Sequence, residues 1–156
     1  MKIEIKSISS NVLFTHDCEN NSINLTLGAA VRKSANLEDA YLKGANLTDA
    51  NLAGAILTRA SLAGASLRHD VKIIRLIGRA QRSDDYTFMG FQTNAGLRIK
   101  AGCRLMSPDE YRAHIAKEYP GTPKAAETLA IIQHLENRAA ESSPPRLKEI
   151  CKNGMD

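Results

Sequence analysis

Residues 35–69 read ANLED AYLKG ANLTD ANLAG AILTR ASLAG ASLRH, which are seven consecutive units of five residues. Alanine opens every unit from Ala35 to Ala65, and leucine is the third residue of every unit. This period fits neither the 3.6-residue period of an α-helix nor the two-residue period of a β-strand. A repeat held in step decides the fold, because successive units stack and bury one continuous core. The sequence therefore predicts a narrow solenoid filled with leucine and alanine.

The predicted core of this solenoid consists of the third residue of each unit. These residues are Leu37, Leu42, Leu47, Leu52, Leu57, Leu62 and Leu67. The other positions vary and are mostly small or polar, as expected on a solvated outer surface. We expect the leucines to stack from one coil to the next.

The A-N-L-x-x pattern of units such as ANLED and ANLTD resembles the pentapeptide-repeat family. The resemblance implies that each unit forms one side of a short right-handed quadrilateral β-helix, with four units to a coil. An imperfect eighth unit at residues 70–74, with isoleucine or lysine in place of leucine, would complete about two coils. At strand spacing this solenoid is only about 10 Å tall. It therefore needs capping elements at both ends.

Four units to a coil also predicts which outer residues are neighbours. Asp39 should lie over Arg59, and Asp49 over His69, since each pair is 20 residues apart. Both pairs join opposite charges, although an exposed ion pair stabilises by only about 0–1 kcal/mol.

The flanking sequence predicts the two caps. Alternating residues at 2–6 and 11–15 indicate a hairpin, and Thr26 is the predicted N-cap of a short helix before the repeat. After the repeat, residues 71–78 read as a strand covered on both faces, and 86–93 and 97–103 as two strands joined by a tight turn. Two helices should start at Ser107–Pro108, with Glu110 completing a capping box, and at Thr122–Pro123.

The predicted fold class is therefore mainly β plus α+β. The domain boundaries are 1–34 for the N-terminal strands and capping helix, 35–74 for the β-helix, 75–140 for a small antiparallel sheet with two helices, and 141–156 for a linker and mobile tail.

Composition limits the protein class. The chain has 156 residues, 43% of them hydrophobic, and a net charge of +4, which weakly favours an acidic partner. Its three cysteines are odd in number and widely spaced, which argues against a disulfide framework. No signal pattern and no long apolar run is evident, so we expect a cytoplasmic protein that does not span a membrane. If the protein is phage-encoded, the expected location is the cytoplasm of the host cell.

No catalytic motif is evident. The four histidines are scattered, no metal-ligand spacing occurs, and His16-Asp17-Cys18 reads as a surface loop. Cys103 reads as a small buried hydrophobe. We therefore expect a protein that is not an enzyme and has no metal and no cofactor.

A basic cluster is the candidate binding site. Its members are Arg75, Arg79, Arg82, Arg98, Lys100 and Arg104. Arg98 and Lys100 share one face of a strand, and arginines in the turn could bind carboxylate or phosphate as forked donors. The alternative is the solvated outer face of a small sheet, neutralised by nearby acids.

The whole arrangement resembles small pentapeptide-repeat proteins carried by tailed phages and prophages. Besides the repeat, the segments that carry this resemblance are LTLGAAV and NAGLRIKAGC. The resemblance implies a binding or inhibitor protein directed at a host defence protein, which would be a bacterial partner with an acidic surface. A nucleic acid or a small phosphorylated ligand is the alternative partner, and a structural, oligomerising role is a third. DNA mimicry is disfavoured, because the repeat is short and nearly neutral.

A homodimer is also predicted. Leu129, Ile132 and Leu135 form an apolar stripe on the last helix, while Ile131 points partly away from it. Leftover apolar surface there could be buried by a symmetric copy, since twofold dimers are the commonest oligomers.

Overall fold

The computed structural model of the protein describes residues 1–68, 70–102 and 104–142. The repeat forms a β-helix-like coil, in which backbone positions 20 residues apart are paired in parallel. The pairs are Asn36 with Ile56, Tyr41 with Ser61, and Asn46 with Ser66. Backbone hydrogen bonds join the same two layers, for example 2.9 Å from Leu42 N–H to the Ser61 carbonyl. One turn of the coil therefore takes four units.

Each unit ends in a tight turn. The alanine N–H that opens a unit donates to the leucine carbonyl three residues earlier, as Ala50 does to Leu47 at 3.1 Å. The residue just before the alanine has a positive φ, from 57° at Arg59 to 77° at Gly54. A positive φ at this position is the signature of a type II turn and explains the glycines found there.

The asparagine position of the unit also has a structural role. The side-chain oxygens of Asn36, Asn46 and Asn51 each accept a hydrogen bond from the N–H two residues later, at 2.9–3.0 Å. This is an Asx turn, which fixes the backbone at the leucine that lies between the two bonded residues. All three asparagines are exposed, as expected for the outer surface, but their side chains also shape the backbone of the unit.

The leucine core is confirmed. All seven repeat leucines are buried, and their cluster includes the alanines Ala40, Ala50, Ala55 and Ala65. The predicted contact between Asp39 and Arg59 is also confirmed, since two Arg59 nitrogens lie 2.9 and 3.0 Å from the two carboxylate oxygens of Asp39.

An N-terminal cap covers the first coil. It consists of strands β1 (Lys2–Lys6) and β2 (Val12–Asp17), paired antiparallel, and helix α1 (Ile23–Arg32). Ile5, Leu27 and Ala30 enter the same core as the repeat leucines. The N-cap of α1 is Ser22, because its hydroxyl accepts from Leu25 N–H. The prediction of Thr26 was wrong: Thr26 is buried inside the helix and donates to Asn21.

The second coil ends in a hairpin. Strand β3 (Ser66–Arg68) pairs antiparallel with β4 (Val71–Gln81), so the predicted eighth unit was wrong. Ile73 does enter the core, as a leucine of the repeat would. Its backbone, however, pairs antiparallel with the seventh unit, through Ile73 N–H to the Ala65 carbonyl at 2.8 Å. The chain therefore turns back at this point.

Strand β4 begins a five-stranded antiparallel sheet in the order β3-β4-β5-β6-β7. The other strands are β5 (Thr87–Thr93), β6 (Gly96–Ala101) and the short β7 (Arg104–Met106), which was not predicted. Arg68 in edge strand β3 donates to the Leu105 carbonyl in edge strand β7 at 3.0 Å. The sheet is thus curled until its two edges nearly meet.

The two faces of this sheet pack on different partners. Ile73, Met89, Phe91 and Leu105 join the core of the coil and cap it. The other face packs against α2 (Pro108–Glu118) and α3 (Pro123–Glu141). The capping box of Ser107 and the N-cap Thr122 are both confirmed.

Two predictions about buried faces were wrong in part. Strand β4 is not covered on both faces, since Ile74 is 55% exposed. On α3, Ile132 and Leu135 are buried as predicted, but Leu129 is 40% exposed and Ile131 packs against the core. The paired glycines Gly78 and Gly90 let Leu135 approach the sheet closely. The homodimer stays a prediction.

Three predictions fall outside the described residues. They are the pairing of Asp49 with His69, the burial of Cys103, and the mobile tail, of which residues 143–156 are not described.

Leu52→Ala tests the leucine stack. Leu52 is 1% exposed inside a narrow coil that cannot close around a hole. We expect a loss of about 2–5 kcal/mol in the free energy of unfolding, measured by urea titration. Leu129→Ala, on the exposed side of α3, is the control and should cost less than about 1 kcal/mol. Equal losses in the two variants would contradict the stacked interior.

Candidate functional site

The predicted basic cluster does not converge on one surface. Its six members lie in three places: Arg82 and Arg104 at a cavity beside α2 and α3, Arg75 and Arg79 along the second coil, and Arg98 and Lys100 on the curled sheet. Three separate environments therefore replace one predicted patch.

Lys100 is not part of an exposed face. It is 3% exposed and pairs across strands with Met89 and Leu105, which belong to the core that caps the coil. Arg98 is half-buried and donates to the Leu97 carbonyl. The period-2 pattern placed the two cations correctly on one face, but the sheet curls and buries that face. The prediction of Lys100 as an accessible binding residue was therefore wrong.

The first cavity measures about 570 Å³ and is rich in aromatic and charged side chains. It is called the aromatic cavity below, and its lining residues are Arg82, Asp84, Tyr86, Phe88, Arg104, Tyr111, Tyr119 and Lys124. The turn after β4, strand β5, the start of β7 and the two helices all contribute to it.

Arg82 organises the wall of the aromatic cavity. It is 8% exposed and donates two hydrogen bonds of 2.8 Å to Asp84 and a third to the Thr128 hydroxyl. Its guanidinium carbon lies 5.2 Å from the ring centroid of Tyr86 and 5.7 Å from that of Phe88. These contacts are cation–π interactions, and they fix the rings.

Charges at this wall are mutually stabilised. The Arg82 guanidinium, with a further contribution from Lys124 at 3.2 Å, holds the pKa of Asp84 far below its usual range. The pKa of Arg82 is raised in turn, first by Asp84 and to a smaller extent by the phenol of Tyr119. Asp84 is thus ionised at any physiological pH.

A second site lies where the second coil meets β4. Two adjoining grooves of about 370 and 350 Å³ share Leu57, Arg59 and Leu76 as lining residues. We call their combined surface the basic groove and define it by Ile56, Arg59, Ile74, Arg75, Arg79 and Arg138. Four arginines from the repeat, β4 and α3 meet in it.

The arginines of the basic groove differ in their partners. Arg59 pairs with Asp39 and, at 3.1 Å, with Glu38. Arg75, Arg79 and Arg138 form no ion pair with any residue in the described part of the chain. Three cations thus line the groove without an ion-pair partner among the described residues.

Arg59 also has an unusual backbone. Its φ of 57° lies in the left-handed region, at a turn position where the other described units have Gly44, Gly54, Gly64, Asp39 or Asp49. A left-handed conformation costs a residue with a long side chain about 1–2 kcal/mol. Strain of this kind is kept where the surrounding structure or a function requires it, and Arg59 lies at the centre of the groove.

Sequence reasoning missed several residues of both sites. Arg138 and Lys124 lie on α3, far from the cluster in sequence, and no local pattern connects them to it. Arg59 was noticed only as the partner of Asp39. Its position at a turn where other units carry glycine or aspartate is the signal that could have found it.

Within the described residues, no three histidine, cysteine, aspartate or glutamate side chains are grouped as metal ligands would be. A search of the same residues finds no helix with the length and apolar character needed to span a membrane.

Comparison with known proteins supports the repeat. Residues 35–69 match the family described as "Pentapeptide repeats (8 copies)". The segment is therefore a pentapeptide-repeat domain, and a β-helix-like coil is the fold that this family implies. The match includes Ile56 and Arg59 of the basic groove but no residue of the aromatic cavity. No curated protein and no solved structure matched the chain.

Asp84→Asn tests the ion pair at the cavity wall. The folded pKa of Asp84 lies below its ordinary value of 3.8, so its contribution to stability is full above that pH and is lost as the pH falls below it. We expect the urea midpoint of the wild type to fall more steeply than that of the variant between about pH 5 and pH 2.

Asp85→Asn is the matched control, because Asp85 accepts only from Gln81 in the described structure. It should keep the steep wild-type dependence. The same dependence in Asp84→Asn would show that the Arg82–Asp84 pair does not stabilise the fold.

Proposed function

We propose that the protein is a non-enzymatic binding protein that holds an acidic segment of another protein in the basic groove. The observation that carries this proposal is the meeting of Arg75, Arg79 and Arg138 in one groove, without ion-pair partners among the described residues. Like charges gathered in this way repel one another, and a partner with carboxylates relieves that repulsion. Arginine is suited to the task, since its fork binds a carboxylate with two parallel hydrogen bonds.

The groove also contains apolar surface. Ile56 is 41% and Ile74 is 55% exposed, and both line the groove beside the arginines. An apolar contact surrounded by arginine is typical of the energetically dominant part of a protein interface. A purely electrostatic surface for a phosphate backbone would not need these isoleucines. The combination favours a protein segment with acidic and apolar side chains.

The fold keeps this groove rigid. Its arginines come from a repeat turn, a strand and a helix, which belong to two packed cores and not to long loops. We take the coil to be the right-handed, four-sided β-helix that the pentapeptide repeat implies, so that Arg59 stands on a fixed edge. Rigid presentation lowers the entropy lost on binding.

The partner class follows from the resemblance to phage-borne proteins. We propose that the partner is a bacterial protein with an acidic surface, specifically a host defence factor. The pentapeptide-repeat protein would inhibit this factor by binding to it. The pentapeptide coil would then act as the scaffold, and the groove as the inhibitory surface.

The test is capture of a partner from nuclease-treated bacterial lysate by immobilised protein. We expect the double variant Arg79→Glu/Arg138→Glu to capture at least tenfold less partner than the wild type does, because two favourable charge contacts become repulsive. Arg104→Glu/Lys117→Glu makes the same change in net charge away from the groove and should retain the partner. Release of the captured partner should increase gradually as the salt concentration is raised.

Two results would contradict the proposal. Equal capture by the two double variants would show that the groove is not the binding surface. Capture that occurs from untreated lysate but is lost from nuclease-treated lysate would show that the protein binds nucleic acid instead.

A further inference from the structure

The aromatic cavity concentrates side chains that are rare in this protein. The sequence has four tyrosines, three phenylalanines and no tryptophan. Tyr86, Phe88, Tyr111 and Tyr119 all line this one cavity. The core of the coil, by contrast, is built mainly from aliphatic residues, with Phe91 buried in it and Phe14 packed against it. Tyr86 is 39% exposed and Tyr119 is half-buried, so both rings are open to a bound molecule.

The rings are held in place before any ligand binds. Tyr86 and Phe88 meet edge to face at 5.4 Å, and Phe88 meets Tyr111 in the same way at 6.1 Å. Arg82 covers Tyr86 and Phe88 and is itself fixed by Asp84 and Thr128. A ring that stacks in this cavity would therefore meet a preformed surface.

The opening of the cavity is cationic. Arg82 and Lys124 share the single carboxylate of Asp84. Arg104 is exposed, donates to the His114 ring, and has no carboxylate within ion-pair distance among the described residues. Its remaining N–H groups can bind an anion, and Lys124, which lines the same cavity and has three donors, can do so as well. Among the lining residues three cations face one anion, and Glu127, which accepts hydrogen bonds from Ser83 and interacts with Arg82, offsets part of this excess positive charge.

Size restricts the ligand to a small molecule. A volume of about 570 Å³ is within the range of cofactor and metabolite sites. We propose that the aromatic cavity binds a mononucleotide, with its base stacked on Tyr86 or Tyr119 and its phosphate held by Arg104 and Lys124. This binding goes beyond the proposed function, because the cavity and the basic groove have no lining residue in common.

Calorimetric titration of the full chain with AMP, GMP and UMP tests the proposal. We expect at least one to bind with a dissociation constant on the order of 10–100 µM. Adenosine, which lacks the phosphate, and inorganic phosphate, which lacks the base, should each bind at least about tenfold more weakly, since each makes half of the contacts. The oligonucleotide (dT)₁₂ is included to detect a surface for single strands.

Arg104→Gln is the decisive variant, because the exposed side chain can be changed without disturbing the core. Affinity for the nucleotide should fall about tenfold, as expected for a lost charge-assisted hydrogen bond. Arg104→Lys should restore part of that affinity. Arg79→Gln in the basic groove is the control and should bind as the wild type does. Lys124→Gln is a second cavity variant, used if circular dichroism shows that Arg104→Gln is misfolded.

The proposal is overturned if no nucleotide binds at millimolar concentration, or if only (dT)₁₂ binds. It is also overturned if folded cavity variants keep the wild-type affinity. None of these results bears on capture of a protein partner by the basic groove, so the two proposals fail separately.

Discussion

The structure depends on one constraint: a stack of leucines only two coils high has two open ends. Each end would expose apolar side chains and unpaired backbone groups to water. Ile5, Leu27 and Ala30 cover one end, and Ile73, Met89, Phe91 and Leu105 cover the other. Burying a leucine side chain is worth about 1.5–3 kcal/mol, so neither cap can be removed without exposing much of the core. The repeat and its caps therefore form one continuous core.

The need for a cap explains the shape of the sheet. Its coil-facing side must be concave to cover the last coil, and the bond from Arg68 to Leu105 holds its edges together. The opposite side remains free to bind α2 and α3, which create the aromatic cavity. The basic groove arises where β4 leaves the coil and α3 reaches over Gly78. Both candidate sites are thus consequences of how the second end is closed.

Predictions from the sequence succeeded where one local period carried the information. The leucine core and the Asp39–Arg59 contact follow directly from units of five residues and coils of twenty. The prediction failed at residues 70–74, because Ile73 fills the core position of a repeat unit while its backbone runs in the opposite direction. The pattern of hydrophobic residues along a sequence does not determine the direction in which a strand runs. The prediction that Lys100 is accessible failed for a related reason. The alternation of residues along a strand predicts which side chains share a face, but not what covers that face. Arg138 joins the groove through tertiary packing alone.

Native-state hydrogen exchange measures most directly whether the coil and its caps are one cooperative unit. The amides that join the two coils, such as those of Leu42, Leu47 and Ser61, can be compared with the amides of the central strand β5. The continuous core predicts that both groups exchange with the free energy of global unfolding. Exchange of the coil amides at a free energy more than about 1 kcal/mol below that of β5 would show that the coil opens alone. That result would contradict the account.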